Sequence, residues 1–354
     1  MRPANAYAKN NRLGIPRVMF ASCFRLHYGL PKVMFTPSSL YRGGANASLQ
    51  PFPFFYGYPD SAQEAFYLAL KRLFSREFYK DMLALAMPAR ALPAVLAFAA
   101  GTIMAGSFAA EKLVFGVAML MSAYCAAAVF NNISDIEGDK LNNPASPLAS
   151  GRYTTGFAWG LMAIFTALAF LLGSLVSPIM ILVNLFYVFM GIAYSKFTKG
   201  YWPLSYATLI TTHLLTPLAV GYFLSTGFAD TRLVVILCFM LLTEFFAFSI
   251  KDYKDVEGDR KMGMSTMPVS LGTQGASRLT SFGLLLPVFS IWVPWTAFRL
   301  SYLFLLFYFA AWLMRASMAV RLVNDQSPAA ASEMVKKYRI ILLLQMCAWC
   351  IAWV

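Results

Sequence analysis

The chain has 354 residues, of which 59% are hydrophobic and 13% charged, and its mean hydropathy is +0.60. A soluble globular domain carries about 25% charged residues, so this composition excludes a surface that faces water throughout and puts most of the chain against lipid. The formal net charge of +13 falls in loops between apolar runs. That pattern is set by membrane topology and anionic lipid, not by nucleic acid.

Residues 1–80 form the first region, a basic N-terminal arm. Arg2, Lys9, Arg12, Arg17, Arg25, Lys32 and Arg42 precede the first acid, Asp60. An acid-poor basic leader of this kind reads as a disordered arm, a transit peptide or an over-extended start. The stretch 64–80, EAFYLALKRLFSREFYK, is expected to form an amphipathic interfacial helix leading into the first span.

Residues 81–354 form the second region, an all-α integral membrane domain. A span needs roughly 20 apolar residues. Nine runs approach that length, at 83–105, 113–130, 155–173, 175–194, 202–224, 232–250, 280–297, 301–320 and 339–354. The expectation is nine transmembrane helices bundled around a central cavity with a polar cytoplasmic mouth. With the N-terminus inside, the inside loops hold Lys140, Arg152, Lys196, Lys199, Lys251, Lys254, Arg260, Lys261, Arg278, Arg321, Lys336, Lys337 and Arg339. The outside loops hold little beyond Lys112, Arg232 and Arg299. Basic loops stay cytoplasmic, so the plasma (inner) membrane is the simplest location, with an organelle membrane open if the leader is a transit peptide.

Five cysteines and two histidines offer no metal site. Cys347 and Cys350 form a CxxC inside the last apolar run, without the second ligand pair that zinc would need.

The strongest chemical signal is a repeat. Ser134–Lys140 reads SDIEGDK and Lys254–Arg260 reads KDVEGDR, each after an apolar run and on the same expected side. Asp135 and Asp139, like Asp255 and Asp259, are four apart, so on a helix each pair shares a face. One such cluster reads as a solvated loop; two copies at span ends argue for a joint role. Paired carboxylates suit Mg²⁺, which takes hard oxygen ligands and binds through one or two carboxylates plus substrate phosphates. Two facing clusters could hold a diphosphate between bound metals. Gly138 and Gly258 read either as permitting close backbone approach or as loosening the helix end.

These motifs resemble those of the UbiA superfamily of intramembrane prenyltransferases, which has nine transmembrane helices and two Asp-rich motifs. Asn131–Asp139, NNISDIEGD, is similar to the family's NDxxDxxxD, with Asn132 where Asp is usual. Asp252–Asp259, DYKDVEGD, is similar to DxxDxxxD. The runs NNPASPLASG and VEGDRKMGMSTMPVSLG look like those of homogentisate- and chlorophyllide-type members. The resemblance spans roughly 80–354. It implies that Asn131, Asp135 and Asp139 hold one Mg²⁺, and Asp255 and Asp259 with Asp252 another. It implies donor phosphate contacts for Tyr194 and Lys199 in AYSKFTKG, with Lys196 as the alternative to Lys199. From their charge, Lys251, Lys254, Arg260 and Lys261 are candidates to neutralise diphosphate oxygens, one or two of them being expected to do so and the others to serve topology or lipid contact. The family's basic residue at the start of the first helix has its nearest match in Arg90 of MPARALP.

The partners implied are a polyprenyl diphosphate donor, a lipophilic acceptor and membrane lipid. Within the spans, Glu244 is a costly intramembrane carboxyl that reads equally as a candidate for the acceptor pocket and as a protonated group hydrogen-bonded to a neighbouring helix; Asn184 is a further candidate for that pocket but reads more readily as helix–helix glue. The expected reaction is Mg²⁺-dependent transfer of a prenyl group from an allylic polyprenyl diphosphate to an aromatic or quinone-precursor acceptor. The alternatives are a membrane terpene cyclase of the same family, and more remotely a transporter or a non-catalytic lipid-binding protein.

Overall fold

The computed structural model describes residue 71, residues 75–106 and residues 109–353. The basic leader, and all of the expected 64–80 helix except residue 71 and residues 75–80, lie outside the described residues.

Helix α1 (Arg76–Ala86) starts where Ser75 Oγ accepts a 3.1 Å hydrogen bond from the Phe78 amide, and it stops at Met87, whose φ is 46°. Pro88 begins one 3₁₀ turn to Arg90, and α2 (Leu92–Met104) resumes the span with Pro93 in its first turn. Proline has no amide hydrogen and restricts the residue before it, so this span is broken near its polar end. Helix α3 (Ala110–Ser134) runs into the short α4 (Ile136–Asn142). Helices α5 (Thr155–Val176) and α6 (Ile179–Ala193) follow, and α6 continues as a π turn over Tyr194–Thr198.

Helix α7 (Trp202–Ile210) passes through a second π turn, Thr211–Leu215, into α8 (Thr216–Thr226). Pro217 cannot donate to the turn before it, which is where the wider turn is inserted. Helix α9 (Thr231–Glu244) leads through a 3₁₀ stretch, Ala247–Asp252, into the short α10 (Val256–Lys261). Then come α11 (Met267–Leu285), α12 (Pro287–Ser290), α13 (Trp292–Phe298), α14 (Tyr302–Asn324) and α15 (Pro328–Ile351).

Among the described residues, eight helical segments are long and apolar enough to cross a membrane. The ninth expected run, 339–354, falls in α15, whose first half also carries Glu333, Lys336, Lys337 and Arg339, and α15 is not one of the eight. Large apolar side chains such as Ile164, Leu171, Leu175, Leu182 and Phe189 stand exposed along α5 and α6. Such a surface is stable against lipid, not water. The chain is an all-helical, multi-pass integral membrane protein.

Helices α2 and α8 meet backbone to backbone. A Cβ on Gly101 would lie 2.0 Å from the Leu218 carbonyl oxygen, and one on Gly221 would lie 2.1 Å from that of Phe98. Small residues allow such approach where lipid offers no hydrophobic drive for helix association. Replacing Gly101 or Gly221 by Val should each cost about 1–3 kcal/mol of overpacking. Both variants are expected to lower the thermal midpoint in detergent. The double variant should cost less than the sum, because either one already separates the same pair.

Candidate active site

The repeat in sequence is also a repeat in backbone. Asp135 precedes α4 with φ −97° and ψ 3°; Asp255 precedes α10 with φ −113° and ψ 8°. This sparsely populated bridge conformation is common at functional sites. In each turn the second aspartate donates its amide to the carbonyl of the first, Asp139 to Asp135 at 2.7 Å and Asp259 to Asp255 at 2.8 Å. One helical turn therefore separates the two carboxylates of each pair.

The two turns pack on each other. A Cβ on Gly258 would fall 2.1 Å from Asn142 Oδ1, and one on Gly138 would fall 3.1 Å from Met262 Sδ. The motif glycines are thus what bring α4 and α10 together.

Lysines meet the acids. The π turn at Tyr194–Thr198, in which the Lys199 amide bonds the Tyr194 carbonyl at 2.9 Å, aims Lys199 Nζ at Asp135 Oδ2. Asn131 Nδ2 donates to the same oxygen at 2.7 Å, and Ser195 Oγ donates to Asn131 Oδ1 at 3.4 Å. The Lys199 loop is tied to the segment after α10 by two backbone bonds, Ser265 amide to Gly200 carbonyl (2.7 Å) and Trp202 amide to Ser265 carbonyl (3.2 Å). In the second cluster Asp252 is buried; Oδ2 accepts from Tyr206 Oη at 2.7 Å and Oδ1 from Lys251 Nζ at 2.5 Å. Lys251 also lies 5.5 Å above the Tyr206 ring, and Lys254 pairs with Asp255.

Repulsion among the carboxylates survives these pairings. Burial, and then the Asp135 charge beside it, raises the Asp139 carboxyl above its ordinary value, and Asp255 across the gap adds to the effect. Burial, followed by the charges of Asp252 and Asp255, pushes Asp259 up to about 6. An acid shifted upward releases its proton later, so lowering the pH through 6 neutralises Asp259, and a cation placed there favours its ionised form. Among the described residues no three His, Cys, Asp or Glu side chains converge as a closed metal cage. The donor set is open, made of hard oxygens and in excess of negative charge, which fits Mg²⁺ completed by phosphate and water.

The structure brings Asn131, Asp135, Asp139 and Lys199 together, and places Asp252, Asp255, Asp259, Lys251 and Lys254 opposite them. Tyr194 is half-buried, within electrostatic reach of Arg90 and Lys251. Lys196 and Arg260 are exposed, and no hydrogen bond or ion pair joins either to the acid clusters. Two expectations need correction. Glu244 is not free to orient an acceptor: Arg315 takes both its oxygens, at 2.8 and 2.6 Å, and Tyr338 Oη adds 2.5 Å. Asn184 is a clamp, its Nδ2 donating to the Ala169 carbonyl at 2.9 Å and so tying α6 to α5. Sequence reasoning passed over Arg315, although a charge inside the run 301–320 is itself a signal of an intramembrane partner. It also passed over Tyr206.

A lipid-embedded helical bundle with two facing acidic turns at one polar site defines the class of this protein. The chain belongs to the UbiA prenyltransferase family, whose profile matches residues 91–342. It is 30% identical over 185 residues to a probable homogentisate phytyltransferase 2, chloroplastic, of Oryza sativa subsp. japonica, covering 49% of this chain and 48% of that one. It therefore spans about half the length of that curated relative. It is 28% identical over 238 residues to a digeranylgeranylglyceryl phosphate synthase of Methanosarcina mazei, covering 63% and 76%. The fold matches a structure described as digeranylgeranylglyceryl phosphate synthase in membranes, with TM-score 0.58, 20% identity and coverage of 78% and 98%. It also matches a UbiA homologue from Archaeoglobus fulgidus bound to DMAPP and Mg²⁺, with TM-score 0.52, 16% identity and coverage of 76% and 97%.

Asn132 departs from the family's usual Asp, and its surroundings explain why. It is buried, and Nδ2 donates a 2.8 Å bond to the Leu85 carbonyl at the end of α1. A carboxylate cannot donate. Asn132→Asp should leave that carbonyl unpaired beside a buried charge, costing about 1–3 kcal/mol. The thermal midpoint is expected to fall, whereas an unchanged or raised midpoint would show that the bond to Leu85 does not select the amide at position 132.

Proposed function

We propose that this chain transfers a prenyl group from an allylic polyprenyl diphosphate to a lipophilic aromatic or quinone-precursor acceptor, with Mg²⁺ and release of pyrophosphate. The observation that carries this reading is the packing of two D-x-x-x-D turns against each other, each in the same backbone conformation and each supplied with lysines. The bound state of the Archaeoglobus homologue, with DMAPP and Mg²⁺, supports it. The basic loops support a cytoplasmic face for the turns.

Asn131, Asp135 and Asp139 would hold one Mg²⁺, and Asp252, Asp255 and Asp259 another. Bound metal supplies charge that offsets the leaving diphosphate. The chain's own part is positioning and electrostatics. Lys199, Lys251 and Lys254 are already aimed at the gap, and each can exchange its aspartate for a phosphate oxygen when donor arrives. Tyr194 borders the same gap. The allylic C–O bond breaks with its electron pair leaving on pyrophosphate. The acceptor nucleophile then bonds to the allylic carbon and loses its proton. Stabilisation by fixed charges is commonly the largest catalytic term, and the surrounding apolar helices keep water from the cation.

The test is pyrophosphate release by the protein in lipid, with a panel of allylic diphosphates, with and without Mg²⁺, followed by mass spectrometry of the products. Mg²⁺-dependent release with an acceptor adduct is expected. Asp135→Ala and Asp255→Ala should each reduce turnover about 10²-fold or more while the protein still inserts. Full activity in either variant would defeat the assignment, and a product with the mass of the donor hydrocarbon alone would indicate a cyclase.

A further inference from the structure

His213 is a titratable group that the chemistry above does not use, and its two ring nitrogens are not equivalent. It sits in the π turn between α7 and α8, a widened turn of the kind frequent at functional sites. Nδ1 lies 2.8 Å from the Leu209 carbonyl oxygen and 3.1 Å from Thr212 Oγ1. A carbonyl only accepts, so Nδ1 carries the hydrogen and Nε2 is left with a lone pair. Among the described residues, the hydrogen bonds of this ring are made by Nδ1 and none by Nε2.

Three elements set how deep the ring lies. On α3, Tyr124 meets it edge-on at 4.6 Å between ring centroids, seven positions before Asn131. In the 3₁₀ stretch, Phe248 stands 6.3 Å away, four positions before Asp252. On its own side, Tyr206 is seven positions earlier and bonds Asp252, and Thr208, five positions earlier, meets Thr198 Oγ1 at 3.3 Å beside Lys199. Seven helical residues rise about 10 Å. Each element therefore carries a member of the acid site towards one end and reaches His213 one to two turns farther into the bundle. The ring is half-buried although Tyr124 and Phe248 flank it, and Tyr187 ties α6 to the same turn by a 3.2 Å bond from Oη to the Thr212 carbonyl. What remains exposed opens on the space those elements enclose. Arg90, which lines a cavity of about 540 Å³ with Arg339, is the charge that reaches His213, and the same Arg90 feels Asp139 and Asp255.

That depth matters to the reaction. A diphosphate held at the acidic turns puts its allylic carbon on the apolar side of the phosphates, and an aromatic acceptor has to meet that carbon at the same level. When a ring carbon of the acceptor bonds to the allylic carbon, its proton must leave, and the C–H electron pair restores the aromatic ring. The other titratable group deep in these spans, Glu244, is taken up by Arg315 and Tyr338. We propose that His213 is the catalytic base that accepts this proton at Nε2. The proton then passes to water as the products leave. The role rests on the transfer reading, but the state of the ring can be measured without catalysis.

The chain has two histidines, His27 and His213. ¹⁵N-histidine labelling of the full chain in phosphatidylcholine nanodiscs therefore gives two imidazole spectra, and His213→Asn removes one. Near neutral pH His213 should be uncharged with its hydrogen on Nδ1. A charged ring, or a hydrogen on Nε2, overturns the proposal. The second measurement is transfer from DMAPP to hydroquinone, with the hydroquinone ring carrying hydrogen or deuterium. The wild type should show no appreciable isotope effect. His213→Asn, whose amide can keep the bond to Leu209, should lose adduct formation about 10²-fold and gain an isotope effect of about 2 or more, because proton loss becomes slow. His213→Ala should recover part of its rate with added imidazole. Affinity for Mg²⁺–pyrophosphate should stay within about twofold in both variants, since its ligands lie elsewhere. Full adduct formation in His213→Asn, or a loss with neither isotope effect nor imidazole rescue, overturns the proposal and leaves His213 as packing. No adduct even with the wild type would count against the transfer reading and leave the base to be decided by the labelled spectrum.

Discussion

Six acidic or amide side chains, Asn131, Asp135, Asp139, Asp252, Asp255 and Asp259, are gathered at one end of a bundle whose sides face hydrocarbon. Like charges at that density repel, and burial makes the repulsion larger. Most of the polar architecture answers this one constraint. Three lysines stand against three of the aspartates, Tyr206 donates to a fourth oxygen, and two carboxyls remain shifted towards their neutral forms. A site left with surplus negative charge after its internal pairings is prepared for cations. A site whose pairings are lysine–aspartate is prepared to exchange them for phosphate.

The helix breaks serve the same end. A straight span would carry its polar residues out along the bundle axis. Instead Pro88 ends α1 and sets Arg90 at the edge of a cavity, the π turn at Tyr194–Thr198 swings Lys199 over Asp135, and the 3₁₀ stretch at Ala247–Asp252 delivers Lys251 and Asp252 together. Deeper in the bundle, the Glu244–Arg315–Tyr338 cluster joins α9, α14 and α15 just before that stretch begins. Breaking one partner of a buried pair is costly, so this cluster fixes where α9 ends and hence where the second acidic turn sits.

Much of this was legible in the sequence, for identifiable reasons. Apolar runs of spanning length mark helices whatever their partners, and the i, i+4 aspartates in two copies mark two carboxylate faces. Resemblance alone put Lys199 ahead of Lys196; the π turn that aims Lys199 at Asp135 is not written in the local pattern. Asn132 reads as an altered ligand in sequence; in the fold it serves the Leu85 carbonyl, 47 positions away. For Glu244 a partner on a neighbouring helix is one of two readings in sequence, but its identity is not legible because Arg315 is 71 positions distant. The cavity between Arg90 and Arg339 joins opposite ends of the domain. Pairings of that separation are set by packing, which local pattern does not encode.

The central claim is that the two acidic turns act as one site. A double-mutant cycle on Asp139→Asn and Asp255→Asn, read as Mg²⁺-dependent pyrophosphate binding, tests it most directly. If the turns share one ligand, each single variant weakens binding and the double variant is little worse than the weaker single. Losses that simply add would mean two independent acidic patches and would contradict the account.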